Sequence, residues 1–272
     1  MVNIVVKVIV AGAAGRMGGR IVTLIHGDDR MELVGAVDMK GHQLTGSDVG
    51  AYLGLGEMGV VLGDDLAECI ERCDVVIDFS SHDASVEHLR IATEYNKAIV
   101  IGSTGLTPDE MDRVADISRG TRCILAPNMS VGVNVMFKVL KDVAGILGDG
   151  YDVEIVEAHH NQKKDAPSGT AVKMAQVIAQ ALDRDIEKAG VYGRSGMVGA
   201  RPQAEIGVHA VRAGDIVGEH TVIFGGMGER LEFIHRAHSR DNFAGGALRA
   251  ALWIVDKENG LYDMQDVLGL ND

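Results

Sequence analysis

The chain has 272 residues, 46% hydrophobic and 24% charged, with a formal net charge of −13. That length accommodates one large domain or two modest ones and buries enough surface to need no disulfide or metal staple. The composition excludes a disordered chain, and the acidity argues against general binding to nucleic acid or an anionic membrane. Glycine is abundant, 35 residues beside only 4 prolines, and has no G-X-Y period. It therefore signals tight turns, or backbone that must approach a ligand, rather than collagen or a linker. Three cysteines, Cys69, Cys73 and Cys123, cannot form a fully paired framework and fit a reducing, cytoplasmic location. The i, i+4 spacing of Cys69 and Cys73 reads as buried small side chains, and no residue set has the spacing of a metal site. The apolar start, Met1 to Val10, lacks a basic lead and is broken by Lys7, so it reads as a buried strand and not an export segment. No run approaches the roughly 18 apolar residues of a membrane span.

In chain order, Ile4 to Val10 predicts a strand and Arg16 to His26 a helix. Glu32 to Val37 predicts a second strand closed by Asp38, and 39–59 a Gly-rich loop. Val75 to Phe79, Ala98 to Ile101 and Thr121 to Ala126 are short, nearly all-apolar strands, with helices at 84–95 and 108–118 between them. Strands apolar on both faces belong to parallel sheets covered by helices. Thr107, Pro108 and Glu110 form a helix-start signature. The first part therefore reads as a Rossmann-like, doubly wound α/β domain.

The pattern changes after Pro127. Helices are expected at Asn134 to Leu147 and Gly169 to Leu182, with a strand at Tyr151 to Ala158 between them. Three strands follow, Ile206 to Arg212, Gly218 to Phe224 and Arg230 to Ala237, joined by hairpin-sized links. A second α+β domain with a mixed or antiparallel sheet is expected, then a last helix, Phe243 to Val255, and a short tail. The division is 1–129 with 240–272 for a dinucleotide-binding domain, and 130–239 for substrate binding and oligomerisation.

The first strand runs into Gly12-Ala13-Ala14-Gly15-Arg16-Met17-Gly18 and then a helix. Glycine lets backbone N–H groups approach a pyrophosphate, and the helix start favours that anion. Asp38 closes the second strand, where an acidic residue accepts hydrogen bonds from a ribose 2′-hydroxyl. Asp38 argues for NADH, whereas Arg16 and Lys40 are placed to meet the 2′-phosphate of NADPH. Solvated surface charge is the plain alternative for both cations.

Residues 157–171, E-A-H-H-N-Q-K-K-D-A-P-S-G-T-A, gather His159, His160, Lys163 and Lys164 at a strand end in an acidic chain, just before a helix start at Ser168, Gly169 and Thr170. Adjacent residues on a strand point to opposite faces, so His159 and His160 are expected to differ in role. A helix start offers N–H groups to a carboxylate, and His with Lys can donate protons and stabilise negative charge. The zinc H-E-x-x-H, the G-x-S-x-G elbow and the phosphate-loop G-K-[ST] do not occur here. His209, His220, His235 and His238 on the late strands read as packing or interface residues.

Residues 157–171 resemble the signature of the 4-hydroxy-tetrahydrodipicolinate (dihydrodipicolinate) reductase family. So do V-A-G-A-A-G-R-M-G at 10–18, V-I-D-F-S at 76–80, I-G-S-T-G at 101–105, A-P-N-M-S-V-G-V-N at 126–134 and V-R-A-G-D-I-V-G-E-H-T at 211–221. The resemblance implies NADH- or NADPH-dependent hydride transfer to ring carbon 4 of a cyclic dicarboxylate imine, in lysine and diaminopimelate biosynthesis. It implies cofactor contacts at Gly12, Ala13, Ala14, Gly15, Arg16, Met17, Asp38, Gly102, Ser103, Thr104, Ala126, Pro127, Asn128 and Met129. It implies His159 and Lys163 as catalytic residues, and His160, Gly169 and Thr170 as substrate contacts. A homotetramer built through the second domain is expected because a small sheet with helices on one face leaves the other to cover, and the resemblance also implies it. Val222, Phe224, Leu231 and Phe233 are candidate apolar positions whose faces the sequence does not assign. One departure is Met39, followed by Lys40, where some members have arginine directly after the acidic residue. The alternatives are another Rossmann-fold amino-acid-pathway dehydrogenase, of the aspartate-semialdehyde or homoserine type, and a non-catalytic dinucleotide sensor. The aspartate-semialdehyde type needs a nucleophilic cysteine, which the second-domain cluster lacks, and the sensor leaves that cluster unexplained.

Overall fold

The computed structural model describes residues 5–271. The chain divides into two compact units, one of residues 1–131 with 240–272 and one of residues 132–239.

The first unit begins with β1 (Val6–Ala11), α1 (Arg16–His26) and β2 (Met31–Val37). Ile4, the expected start of β1, lies outside the described residues. The expected loop at 39–59 holds a short helix, α2 (Val49–Leu53), followed by β3 (Leu62–Gly63). Asp48 explains that helix: its carboxylate accepts N–H bonds from Ala51 at 2.9 Å, Met58 at 3.1 Å and Gly59 at 2.8 Å, closing a loop that glycine spacing alone leaves open. Next come β4 (Val75–Asp78), α3 (His82–Glu94), β5 (Ala98–Ile101), α4 (Pro108–Ile117) and β6 (Arg122–Leu125). The capping box at the start of α4 is formed, with Thr107 N–H donating to Glu110 Oε2 at 2.7 Å and Glu110 N–H to Thr107 Oγ1 at 3.3 Å.

The second unit holds α5 (Val131–Leu147), β7 (Asp152–His159), α6 (Gly169–Ala181), α7 (Ile186–Ala189), β8 (Gly190–Tyr192), β9 (Ile206–Arg212), β10 (Gly218–Gly225) and β11 (Arg230–Ala237), of which α5 begins one residue before the division. Its five strands run in the order β11-β10-β7-β9-β8, with β9 parallel to β7 and β8, and β10 antiparallel to β7 and β11. The link after β9 is therefore not a hairpin, contrary to its length. It crosses the end of β7, bonded there by Ala213 N–H to His159 O at 2.9 Å, His160 N–H to Ile216 O at 2.7 Å and Asn161 N–H to Gly214 O at 3.1 Å. Only the turn between β10 and β11 is a hairpin. Val153 and Ile155 of β7, Val222 and Phe224 of β10, and Met136, Leu140, Met174 and Ile178 from α5 and α6 form the core. Val222 and Phe224 thus serve this unit's own interior and are not outward-facing. Ile223 and Ile234 occupy the alternate positions, Ile234 being 48% exposed.

The chain then returns to the first unit as α8 (Asp241–Ile254), β12 (Gly260–Tyr262) and α9 (Met264–Leu268). The tail thus supplies a strand, parallel to β6, that its three residues did not signal. The all-parallel sheet has the order β12-β6-β5-β4-β1-β2-β3. Val8 and Val10 of β1 pack with α1 and α8, while Ile9 and Ala11 pack with α3 and α4. Helices on both faces explain why these strands lack polar alternation. Among the described residues no helix is long and apolar enough to cross a membrane.

Candidate active site

The parallel sheet sets the cofactor end. Ala11, Val37, Asp78, Ile101 and Leu125 end their strands in mutual register, so the segments following them share one edge. These segments are Gly12–Met17, Asp38, Gly102–Thr104 and Ala126–Met129. The sheet order reverses between β1 and β4, and in such sheets ligands sit outside the carboxyl ends at that switch point.

The turn is shaped for close backbone approach. Gly12 has φ +76°, and a Cβ there would lie 2.5 Å from Phe79 O. A Cβ on Gly18 would lie 2.0 Å from Gly12 O, so α1 cannot start here with a larger residue. Gly15 caps α1, whose first turn contains no acidic residue to compete with a phosphate. Asp38 Oδ2 accepts Ala14 N–H at 2.9 Å and Oδ1 accepts Met39 N–H at 2.8 Å, leaving lone pairs on both oxygens. Arg16, Met39 and Lys40 are exposed beside it. The N–H groups of Gly12, Ala13, Ala14 and Gly15 are used within the turn, so the features that fit a dinucleotide are the glycine turn, the start of α1 at Arg16 and a fixed carboxylate.

Asp78, a residue without an expected role, is fully buried and organises the neighbouring loop. Its Oδ1 accepts Ser80 N–H at 2.9 Å and Ser80 Oγ–H at 2.6 Å, and Oδ2 meets His88 Nδ1 at 2.7 Å. The loop so fixed carries Phe79, whose ring fills the space a Cβ on Gly102 would need.

In the second unit, the alternation of β7 turns Glu157 and His159 inward, and His160 follows half-buried. Glu157 is fully buried, with Oε2 2.6 Å from His159 Nδ1 and Oε1 accepting Ser168 N–H at 2.9 Å. The Arg212 guanidinium forks onto both oxygens at 2.8 Å and also donates to Asp165 O at 2.7 Å. Burial opposes ionisation of Glu157, but Arg212, His159 and the Ser168 N–H hold its carboxyl below the ordinary range. Burial in turn depresses His159, with Lys163 and Arg212 adding to the effect and Glu157 resisting it, so the imidazole is neutral near pH 7.

Lys163 is half-buried, its Nζ 2.9 Å from Asp165 Oδ1, whereas Lys164 is exposed. Ser168 caps α6 by accepting Ala171 N–H at 3.2 Å, and exposed Gly169 opens the helix with half-buried Thr170. His159, Lys163 and the start of α6 are thus brought to one end of β7.

His220 departs from the reading of the late histidines as packing or interface residues. Its ring stands edge-on to His159, centroids 5.3 Å apart, and its Nε2 is 3.1 Å from Ser168 Oγ. Burial pushes it down to about 3, so it is neutral. His235 lies beyond it at 6.4 Å, whereas His209 bonds Glu154 elsewhere on the sheet. Arg212 and His220 both lie in the quoted 211–221 motif, but only the β7–β9 and β7–β10 pairing reveals their place beside Glu157. The cysteines take no part: burial raises Cys73 to about 12, raises Cys123 further, and raises half-buried Cys69 as well.

Comparison with known proteins agrees. Residues 6–129 match the family model for the N-terminus of dihydrodipicolinate reductase, and residues 132–268 match that for its C-terminus. The 4-hydroxy-tetrahydrodipicolinate reductase of Syntrophus aciditrophicus (strain SB) is 60% identical, over 97% of this chain and 98% of that protein. That of Geobacter sp. (strain M21) is 55% identical, over 97% and 99%. Among solved structures, a dipicolinate-bound dihydrodipicolinate reductase from Paenisporosarcina sp. TG-14 superimposes with a TM-score of 0.76 at 27% identity, covering 97% of this chain and 99% of that one. Matches to both halves of the family, at this identity and over nearly all of its length, establish that the chain belongs to the dihydrodipicolinate reductase family.

Proposed function

We propose that Lys163 and His159 carry the proton chemistry of a 4-hydroxy-tetrahydrodipicolinate reductase that forms tetrahydrodipicolinate for lysine and diaminopimelate biosynthesis. By its family the chain is an NAD(P)H-dependent oxidoreductase. The observation that carries the residue assignment is that His159 and the start of α6 share one buried carboxylate, with Lys163, paired to Asp165, in the loop between them. A dinucleotide held here would supply the hydride for ring carbon 4. Gly12 to Met17 and the start of α1 would hold its pyrophosphate, and Asp38 its ribose. Gly102 to Thr104 and Ala126 to Met129 flank it at the same sheet edge.

Loss of the 4-hydroxyl group as water gives the conjugated imine, and hydride addition to its carbon 4 then leaves electron density that a proton must follow. The ammonium of Lys163 donates that proton, and the neutral imidazole of His159 orients the ring and accepts a hydrogen bond or a proton through its unbonded nitrogen. His160, the first turn of α6 at Gly169 and Thr170, and the Lys163 charge bind the two substrate carboxylates, which accounts for local cations in an acidic chain.

Residues 1–129 with 240–272 form the dinucleotide domain, and 130–239 the substrate and oligomerisation domain. We place the enzyme in the cytoplasm. We assign it as a homotetramer joined through the second unit, where Ile223 and Ile234 alternate with the core positions. Light scattering that gives a stable monomer at micromolar concentration would remove that assignment.

Steady-state oxidation of NADH and of NADPH, side by side, with and without 4-hydroxy-tetrahydrodipicolinate, tests the whole reading. Substrate-dependent oxidation of both is expected, with NADH favoured through Asp38. Absence of substrate-dependent oxidation would refute it.

A further inference from the structure

We infer that Glu157 and Arg212 are positioning residues that fix His159 with its Nδ1–H donated to the carboxylate and its Nε2 lone pair left for the substrate. The same carboxylate ties that imidazole to the first turn of α6. The inference rests on the proposed reaction and deepens it.

The geometry leaves little freedom. An ionised carboxylate only accepts, so the 2.6 Å contact of Glu157 Oε2 with His159 requires the proton on Nδ1. Among the described residues Nε2 has no hydrogen bond, and the side chain keeps 11% exposure. The chain makes room on that side, because a Cβ on Gly218 would come within 3.1 Å of Nε2. A fully buried carboxylate is costly unless it is paired. Here Arg212 answers both oxygens and the Ser168 N–H a third lone pair. Arg212 then reaches Asp165 O, in the loop whose Asp165 side chain meets Lys163 Nζ. One guanidinium thus braces the carboxylate behind His159 and the loop carrying Lys163. Neither Glu157 nor Arg212 needs to touch substrate. They set which His159 nitrogen does, and how far it stands from α6.

Glu157→Gln keeps the shape but replaces an acceptor with an amide. Facing Arg212 and Ser168, that amide turns its NH2 towards His159 and selects the opposite tautomer. Outer partners of a working histidine are commonly worth about 10- to 100-fold, so kcat is expected to fall by about that factor. KM for substrate and for NADH should stay within about threefold, because the carboxylate-binding groups remain.

The charged and titratable groups facing His159 are Glu157, Lys163 and Arg212, with His220 across the sheet and His235 beyond it. Of these only Glu157 supports the imidazolium, so the pH limb of kcat that reports His159 should move to lower pH in Glu157→Gln. A fall in kcat matched by the loss of native protein, with the limb unmoved, would mean a merely structural carboxylate and overturn the inference.

A second measurement does not depend on the variant folding. In the 15N-histidine spectrum of the unaltered enzyme near pH 7.5, the signals absent from His159→Gln should show a protonated Nδ1 and an unprotonated Nε2. The reverse tautomer would overturn the inference even with full activity. Failure of the proposed reaction is distinguishable, because it removes substrate-dependent NADH oxidation from the unaltered enzyme itself.

Discussion

Gly218→Ala isolates the space beside His159 Nε2 with the smallest available perturbation. The new methyl would meet Nε2 at 3.1 Å and Cδ2 at 3.4 Å, so one side must give by a few tenths of an ångström. The imidazole is ill placed to give, since its Nδ1 is held at 2.6 Å by a carboxylate that Arg212 and Ser168 hold in turn. Overpacking of this kind costs about 1–3 kcal/mol. Restricting the unfolded chain by Gly→Ala returns about 0.4–1 kcal/mol, so the net destabilisation is expected to be at most about 2.6 kcal/mol. Catalysis is more sensitive. A misplacement of about 1 Å can cost about 10²-fold, and a few tenths scale to a loss in kcat of about three- to tenfold. Gly225→Ala at the other end of β10 is the control, because its Cβ would meet nothing within 4 Å. Thermal unfolding and saturating NADH-oxidation rates of both variants make the assay. If Gly218→Ala keeps the full kcat of Gly225→Ala, the Nε2 edge is not where the chemistry occurs, and the placement of substrate beside it is refuted.

Lys163→Ala should lose about 10²–10⁴-fold in kcat with fold and cofactor affinity kept, the usual value of a general acid, while exposed Lys164→Ala should cost little; equal losses would mean a diffuse cationic patch. Asp38→Ala should weaken NADH more than NADPH in fluorescence titrations, and an equal loss for both would take Asp38 out of the ribose site. His220 is neutral when folded, at about 3, but takes a proton near its ordinary range when unfolded, so it favours the fold above that range and this contribution is lost as pH falls towards 3. His220→Gln should therefore flatten the acid side of the stability curve measured by thermal unfolding between about pH 6.5 and pH 4, and an unchanged slope would mean that His220 is hydrated.

Local signals were legible where one element decides the outcome. Arg16–His26, Ala98–Ile101 and Ile206–Arg212 have the bounds their periodicity implies. The doubly wound sheet followed from strands apolar on both faces. What escaped reading depends on partners distant in sequence. The strand Gly260–Tyr262 has no pattern of its own and exists because β6 offers an edge. His220 looked like any sheet histidine until Glu157 stood opposite it in register. Glu157 lay within the quoted motif without a role, because burial and the Arg212 fork are tertiary facts. The faces of Val222 and Phe224 were open for the same reason: alternation gives two sets, and only the position of α5 and α6 says which is inside.

The order of the second sheet also explains why the site lies where it does. Had the link between β9 and β10 been the hairpin its length suggests, β7 would have paired with only one of them, and its end would be an open edge. Instead β7 is inserted between the two, and the link passes over its last residue. His159 therefore stands at the end of a strand with both edges paired, beside its register partner Arg212 on β9 and close to Gly218, the first residue of β10. The strand gives rigidity, β9 supplies the guanidinium that makes a buried carboxylate tenable, and β10 supplies the missing side chain that leaves Nε2 open. Beyond that point the chain leaves the sheet for the loop bearing Lys163 and Asp165, whose main chain Arg212 also holds. The loop bearing Lys163 is thus tied to the fixed imidazole by the same cation. A strand end passing into a braced loop holds the two in one frame.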